Sequence, residues 1–401
     1  MDTLVIGAGP IGLGIAWRAA QRGRDVVVLD RGEPGGGASF HAAGMLAPIT
    51  EATYGEEALL ALTLESARRY PGFRRELAAA SGHDLASAAP GTLFVALDRD
   101  QLEALRHLHA FQAASGLDAR WLDAAACREH EPGLHPRVRA GILTAEQEVD
   151  PRRLTAALGA ALAAAGGTIR TGAGVRRVLV DSGVCTGAEL DGGEQVTFDQ
   201  VSLDPKGGRV VLAAGCWSGG IGGVPAAVRE AVRPVKGQIL RLRPRPGDGL
   251  PIRHIVRTEE VYLVPRALPG AGPGDPARGE VVVGATVEER GFDQSLTGGG
   301  MFELLRAAIE AVPAVRELEL VEASAGLRPG SRDNAPLLGP VGTGPAGLLI
   351  ATGHYRNGIL LTPVTADALG DVLAGAPVPD LVRPFLPDRF RRANPAPARA
   401  S

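Results

Sequence analysis

Gly7, Gly9 and Gly12 fall in the spacing G-x-G-x-x-G near the start of the chain, and the chemistry of that pattern is the cradling of a pyrophosphate. The first glycine allows a tight turn, the second lets backbone approach the phosphates, and the third lets the next helix lie close to its strand. The first turn of that helix offers N–H groups and the positive end of its dipole to the anion. Pro10 sits where a helix tolerates proline, with Ile11 beside it in the turn. Asp30 follows about 20 residues later, where a carboxylate accepts a hydrogen bond from a ribose hydroxyl. The pattern alone serves FAD and NAD equally, and an acid at Asp30 makes a 2′-phosphate an awkward fit.

Such a turn works only between a strand and a helix, and the flanking sequence supplies both. Residues 4–6 are apolar and β-prone, 13–21 read as a helix and 26–29 return to strand, which together make a βαβ unit. A second βαβ-like stretch starts at Asp150, a suitable N-cap, with Pro151 in the first helical position and Leu154, Leu158 and Leu162 spaced four apart before Gly166-Gly167. Strands are expected over 168–170, 175–180 and 209–215. The intervening segment reads as mostly helical, with Leu102, Leu105, Leu108 and Phe111 on one face. From 235 to 285 the pattern becomes strands at 238–242, 261–264 and 280–283 between Pro/Gly clusters, with 265–279 read as a long hairpin loop. After residue 320 a strand at 348–351 and a helix at 359–374 restore α/β character.

The expected fold class is therefore α/β (α+β). A Rossmann-like dinucleotide domain is assembled from the discontinuous segments 1–85, 146–222 and 322–392, and a substrate domain with an antiparallel sheet from 86–145 and 223–321. Residues 393–401 read as a disordered tail.

Composition narrows the partners. The chain has 401 residues, 45% hydrophobic and 22% charged, which suits a globular protein with more than one domain. Its 42 Lys and Arg against 45 Asp and Glu leave no basic excess for nucleic acid. Cys127, Cys185 and Cys216 are too few and too scattered for a disulfide framework or a cysteine zinc site. No histidine pair has a metal-ligand spacing, so no metal is expected. An apolar run of the roughly 20 residues that a membrane span needs is absent, and the N-terminus has no basic n-region. These features favour a cytoplasmic protein.

Later runs narrow the cofactor. Ala42-Ala43-Gly44-Met45-Leu46, Ala213-Ala214-Gly215-Cys216-Trp217-Ser218, Val261-Tyr262-Leu263-Val264-Pro265-Arg266, Ala325-Gly326-Leu327-Arg328-Pro329-Gly330 and Gly353-His354-Tyr355-Arg356-Asn357-Gly358-Ile359-Leu360-Leu361 follow one another along the chain. In their order the sequence resembles the D-amino-acid oxidase superfamily of FAD-dependent amine oxidases, most closely the glycine oxidases of the thiamine-pathway type.

The resemblance implies FAD held by Gly7, Gly9, Pro10, Ile11, Gly12, Asp30, Arg31, Ala38, Ser39, Ala43, Gly44 and Met45. It adds the backbone of Val178 at the adenine, and His354, Tyr355, Arg356, Asn357, Gly358, Ile359 and Leu360 along the flavin. A helix start at 357–360 would aim backbone N–H groups at the pyrimidine ring, where negative charge gathers on reduction.

Substrate contacts are implied at Arg328, Tyr262, Arg356 and Met45. Arg328 is the carboxylate fork, Tyr262 a donor to the same carboxylate, Arg356 lies over the entrance, and Met45 is on the substrate side. No side-chain catalytic base is implied: hydride passes from the α-carbon of a small amino acid to flavin N5. The imine hydrolyses to glyoxylate and ammonia, and oxygen reoxidises the flavin to give hydrogen peroxide. The resemblance further implies a homotetramer, and delivery of the imine to a thiazole synthase.

Two departures qualify it. Glu260 stands where glycine oxidases can carry histidine, so either it points away from the pocket or the substrate preference differs. None of the cysteines falls in the run around Arg328 where sarcosine oxidases attach flavin, which leads to the expectation of noncovalent FAD. The competing readings are a D-amino-acid or sarcosine oxidase or dehydrogenase, and a catalytically silent FAD-binding module.

Overall fold

Thr3–Ile6 is buried at every position because it runs through the middle of a six-stranded sheet, parallel to Arg209–Leu212 on one side and Val26–Leu29 on the other. Leu348–Thr352 and Thr168–Arg170 extend the parallel array, and Leu337–Pro340 closes one edge antiparallel. The near-continuous apolar runs of these strands are those of a sheet covered on both faces. The computed structural model describes residues 1–85, 89–198, 208–267 and 279–390. Most of the expected hairpin loop, at 268–278, and the expected tail at 393–401 lie outside the described residues.

One face of the sheet carries Pro10–Gln21, Pro151–Ala164 and Thr362–Leu373, with the long helix Glu57–Ser81 laid across them. Trp17, 1% exposed, packs edge-on against Phe73 at 5.7 Å in this layer. The opposite face is covered by an antiparallel meander, Val175–Asp181, Val184–Leu190 and Gln195–Thr197. The first helix starts at Pro10 itself, three residues earlier than periodicity predicts, since proline is preorganised for the first helical position. Asp150 caps its helix as expected, accepting from the Arg152 amide at 2.9 Å. The last helix starts at Thr362, because 358–361 form a turn before it.

A second sheet has eight strands in the order Glu319–Gly330, Arg233–Arg243, Gly279–Gly284, Tyr262–Ala267, Ile255–Arg257, Thr92–Ala96, Ala140–Thr144 and Arg120–Asp123. All its pairs are antiparallel except Ile255–Arg257 with Thr92–Ala96. Helix Gly298–Ala311 packs its apolar face on this sheet. The segment expected to be mostly helical does contain Arg99–Ala114, but it also supplies three strands, Thr92–Ala96, Arg120–Asp123 and Ala140–Thr144. Each is four or five residues long and stabilised by partners distant in sequence, which local periodicity does not register. Glu319–Gly330 runs straight through the expected boundary at 322, so Arg328 is carried on the eight-stranded sheet.

Two of the three glycines of the turn are held by contacts that permit no side chain, while Gly9 faces open space. Gly7 adopts a φ of +110°, and a methyl group on Gly12 would overlap the Gly7 carbonyl. Gly12→Ala is therefore expected to leave far-ultraviolet circular dichroism unchanged while the dinucleotide binds at least about tenfold more weakly. Calorimetric titration of the apoprotein checks this; unaltered affinity would contradict the packing role of Gly12.

Candidate functional site

A cavity of about 660 Å³ opens between the two sheets. Its wall includes Gly7, Gly9, Pro10, Ile11, Asp30, Arg31, Ala38, Ser39, Ala43, Gly44, Met45 and 354–359 from one side, and Tyr262 and Arg328 from the other. Three residues named from the sequence stand outside the wall. Gly12 acts behind it, as packing for the turn. The Leu360 side chain is in the hydrophobic core. Val178 is buried in the meander layer, and its amide donates to the Gly222 carbonyl at 2.9 Å. A backbone already engaged in this way is not offered to a ligand; Val175 and Arg176, earlier on the same strand, reach the cavity instead.

At the glycine turn the Asp30 carboxylate is fixed by two backbone donors, Ala8 at 2.7 Å and Gly32 at 2.9 Å. Each oxygen accepts one of these bonds and retains capacity for a ribose hydroxyl. Arg31 lies 3.8 Å above the ring of Trp217, and both line the cavity. Trp217 belongs to a run quoted above without a role, and its stacking on Arg31 is a feature only the folded chain displays.

The run 38–46 passes along the middle of the cavity and is held from several directions. Ser39 donates to the Gly35 carbonyl at 3.1 Å. Arg152 donates to the Phe40 carbonyl at 3.1 Å, and the buried Arg266 to the Ala43 carbonyl at 2.6 Å. Gly44 has a φ of +79°, and a side chain there would strike the Val149 carbonyl. Met45 pairs with Glu148 in a two-stranded ladder.

Facing this run, the turn before the last helix presents donors. The Asn357 amide is taken by the His354 carbonyl at 2.9 Å, so it is not available to a ligand as expected. The amides of Gly358 and Ile359 line the wall without a hydrogen-bond acceptor among the described residues. Two successive amides in a turn stabilise negative charge placed against them. His354 is buried, its Nε2 3.3 Å from the Thr365 hydroxyl, and burial pushes its imidazole down to about 3. It is neutral at physiological pH and lines the cavity.

On the side of the eight-stranded sheet Arg328 donates to the carbonyls of Thr286 at 3.0 Å and Lys236 at 3.3 Å, and no carboxylate pairs with it among the described residues. Its guanidinium lies over Gly237, where any Cβ would overlap it, and the Tyr262 hydroxyl lies over Gly284 in the same way. Burial raises the Tyr262 hydroxyl above the ordinary phenol value despite the charges of Arg328 and Arg356, so it stays a donor at neutral pH.

Glu51, which no motif singled out, also lines the cavity and accepts from Arg356 at 3.1 Å and Arg257 at 3.2 Å. Burial works to raise its carboxyl, but Arg356, Arg257 and Arg328 outweigh it and hold the group below the usual carboxylate range. Glu260 is half exposed and paired with Arg306 at 2.6 Å; it is not in the wall of this cavity but lines a smaller one that shares Tyr262 with it. Among the described residues no cluster of His, Cys, Asp or Glu could hold a metal ion, and no helix is long and apolar enough to cross a membrane.

The wall joins a glycine turn and a fixed carboxylate at Asp30 to two amides without acceptors and an arginine with no carboxylate partner among the described residues, a set of groups that could hold a flavin dinucleotide. The DAO family, described as FAD dependent oxidoreductase, matches residues 2–372. The chain belongs to this family. It is an FAD-dependent oxidoreductase, and the residues around Gly9, Asp30, Gly44 and 358–359 are those that would hold the cofactor. The chain is 30% identical over 377 residues to a glycine oxidase of Geobacillus kaustophilus, covering 93% of this chain and 92% of that protein. It is 32% identical over 394 residues to a bifunctional protein ThiO/ThiG of Trichormus variabilis, covering 98% of this chain but 55% of that protein, so it spans about half the length of this relative. The crystal structure of glycine oxidase from Bacillus cereus superposes with a TM-score of 0.83 at 27% identity, covering 98% of this chain and 99% of that one.

The glycine beneath Arg328 makes the carboxylate fork testable without altering any charged group. Gly237→Ala should displace the guanidinium and weaken binding of a small carboxylate by at least about tenfold, with the flavin still bound. Titration of flavin absorbance with acetate reads the change, and equal affinity in both proteins would contradict the placement.

Proposed function

We propose that the protein oxidises glycine, or another small amino acid or secondary amine of that size, at the carbon bearing the nitrogen. The observation that carries this reading is the unpaired fork of Arg328 beside Tyr262, in the same cavity as the free amides of Gly358 and Ile359. Arg328 binds the substrate carboxylate in two parallel hydrogen bonds, and Tyr262 donates to it as a neutral phenol. Fixing the carboxylate orients the α-carbon, which is worth more to the rate than a weak general base. FAD, when bound, supplies the two-electron acceptor and is reoxidised by oxygen, giving peroxide, while the imine product hydrolyses to glyoxylate and ammonia. The amides of Gly358 and Ile359 stand ready for negative charge, and Met45 and Ala43 form the wall that keeps water from the reacting face.

FAD is held noncovalently in this reading. Cys216 is the cysteine that lines the cavity, and burial pushes its thiol up to about 12, far from the thiolate that attachment would need. Acid precipitation should release all the flavin; colour remaining in the pellet would overturn this and direct attention to His41, a cavity residue whose Nδ1 is buried with no hydrogen-bond partner.

The same reading has the enzyme working as a homotetramer and in the cytoplasm, a compartment in keeping with three free, buried thiols. It also has the imine passed to a thiazole synthase in thiamine formation; the relative that joins ThiO to ThiG supports a partner of that kind. Steady-state peroxide production with glycine, sarcosine and D-alanine side by side tests the substrate. Glycine should be turned over, and Arg328→Ala should lower kcat/KM at least about a hundredfold, a loss of about 2.7 kcal/mol in transition-state binding. Turnover of D-alanine or sarcosine without glycine would replace this reading with a D-amino-acid or sarcosine oxidase.

A further inference from the structure

Two arginines at the substrate end of the cavity are engaged by one carboxylate, and one arginine is not. Glu51 accepts from Arg356 at 3.1 Å and from Arg257 at 3.2 Å, whereas Arg328 has no carboxylate partner among the described residues. A second chamber of about 340 Å³ adjoins the first, sharing Tyr262, Ala285 and Arg356 with it, and Arg257 lines this outer chamber too. The wall between the two chambers therefore carries Arg356, and both Arg356 and Arg257 are already occupied by Glu51.

Glu51 is also rigidly placed. The buried carboxylate of Glu146 accepts from the amides of Ile49 at 2.5 Å and Thr50 at 2.9 Å and from the Thr50 hydroxyl at 2.7 Å, and the Glu51 amide donates to the Ala47 carbonyl at 3.3 Å. The backbone before the side chain cannot drift, so the carboxylate is a fixed negative charge rather than a mobile surface acid. Coulomb repulsion at this separation, in a partly desolvated pocket, separates ligands of different charge far better than ligands of different size.

We propose that Glu51 sets the charge of the accepted substrate: by occupying Arg356 and Arg257 it leaves a single guanidinium for a single carboxylate and turns away amines that carry a second one. A dianionic N-substituted glycine held at Arg328 would carry its second carboxylate toward Arg356 and Arg257. To bind, its second carboxylate must displace Glu51 or lie against it, and either costs the ion pairs that Glu51 now makes. Glu259 also lines the second chamber, while Glu260 and Glu303 on the same rim are paired with Arg306.

The inference rests on Arg328 as the substrate-carboxylate site, and its test does not depend on turnover. Glycolate and diglycolate carry one and two carboxylates and lack an oxidisable amine, and their dissociation constants can be read from the flavin absorbance of the FAD-loaded protein. Wild type should bind glycolate more tightly than diglycolate. In Glu51→Gln the ratio should move toward diglycolate by about tenfold or more, and in the double variant Glu51→Gln with Arg356→Gln most of that gain should disappear.

Retained flavin and an unchanged visible spectrum establish that each variant is folded. An unchanged or reversed ratio in Glu51→Gln overturns the proposal, as does a gain that survives loss of Arg356. If neither ligand binds any of the proteins, Arg328 is not a carboxylate site and the proposal falls with it. Failure of glycine turnover alone, with the ratios as expected, would fault the assigned reaction and leave the charge filter standing.

Discussion

A slip of one residue in the pairing of Glu319–Gly330 with Arg233–Arg243 would turn Arg328 to the opposite face of its sheet and empty the site of its carboxylate fork. The register prevents this by setting Gly237 against Gly326 and Val235 against Arg328, so that a bare stretch of backbone lies under the guanidinium. The two strands are paired along almost their whole length, and Arg328 uses carbonyls of Lys236 and Thr286 to offset its desolvation. What remains of its donor set is open to a ligand. The placement of Arg328 in the cavity wall depends on this one ladder, and with it the proposed substrate site.

The six-stranded sheet answers a different demand. Its strand ends and helix starts must leave polar backbone uncovered where a long anionic cofactor will lie, while the rest of the sheet is sealed on both faces. Gly7, Gly9 and the start of the first helix meet that demand at one end, and the open amides of Gly358 and Ile359 at another. Between them the run 38–46 has little cohesion of its own. It is fixed by the ladder of Met45 with Glu148 and by Arg152 and Arg266, which bind its carbonyls and are themselves paired with acids. Arg266 belongs to the strand that carries Tyr262, so the wall along the flavin and the substrate contact are held by one element.

The sequence made the cofactor end legible because its requirements are local. A tight turn needs glycine, a helix start accepts proline, and Asp30 lies at a fixed distance along a βαβ unit, so residues within thirty of the N-terminus carry the signal. Arg328 and Tyr262 were legible through runs that resemble a family, and both reach the cavity. Glu51 was not, because its role comes from Arg257 and Arg356, which are more than two hundred residues away and meet it only in the folded chain. The surroundings of Val178 were hidden for the same kind of reason: whether a strand amide is free depends on Gly222, which no pattern around Val178 reveals. The short strands Thr92–Ala96 and Ala140–Thr144 were hidden because their stability lies in each other and in Ile255–Arg257 rather than in their own composition.

The central claim is that a small amino acid bound at Arg328 lies in the same enclosed space as the flavin and gives up two electrons to it. Anaerobic titration of the purified, FAD-loaded protein with glycine tests this most directly. Stoichiometric bleaching of the oxidised flavin band, with one glyoxylate recovered for each flavin reduced, is the predicted result. A flavin that stays oxidised in saturating glycine, while dithionite still reduces it, would contradict the account.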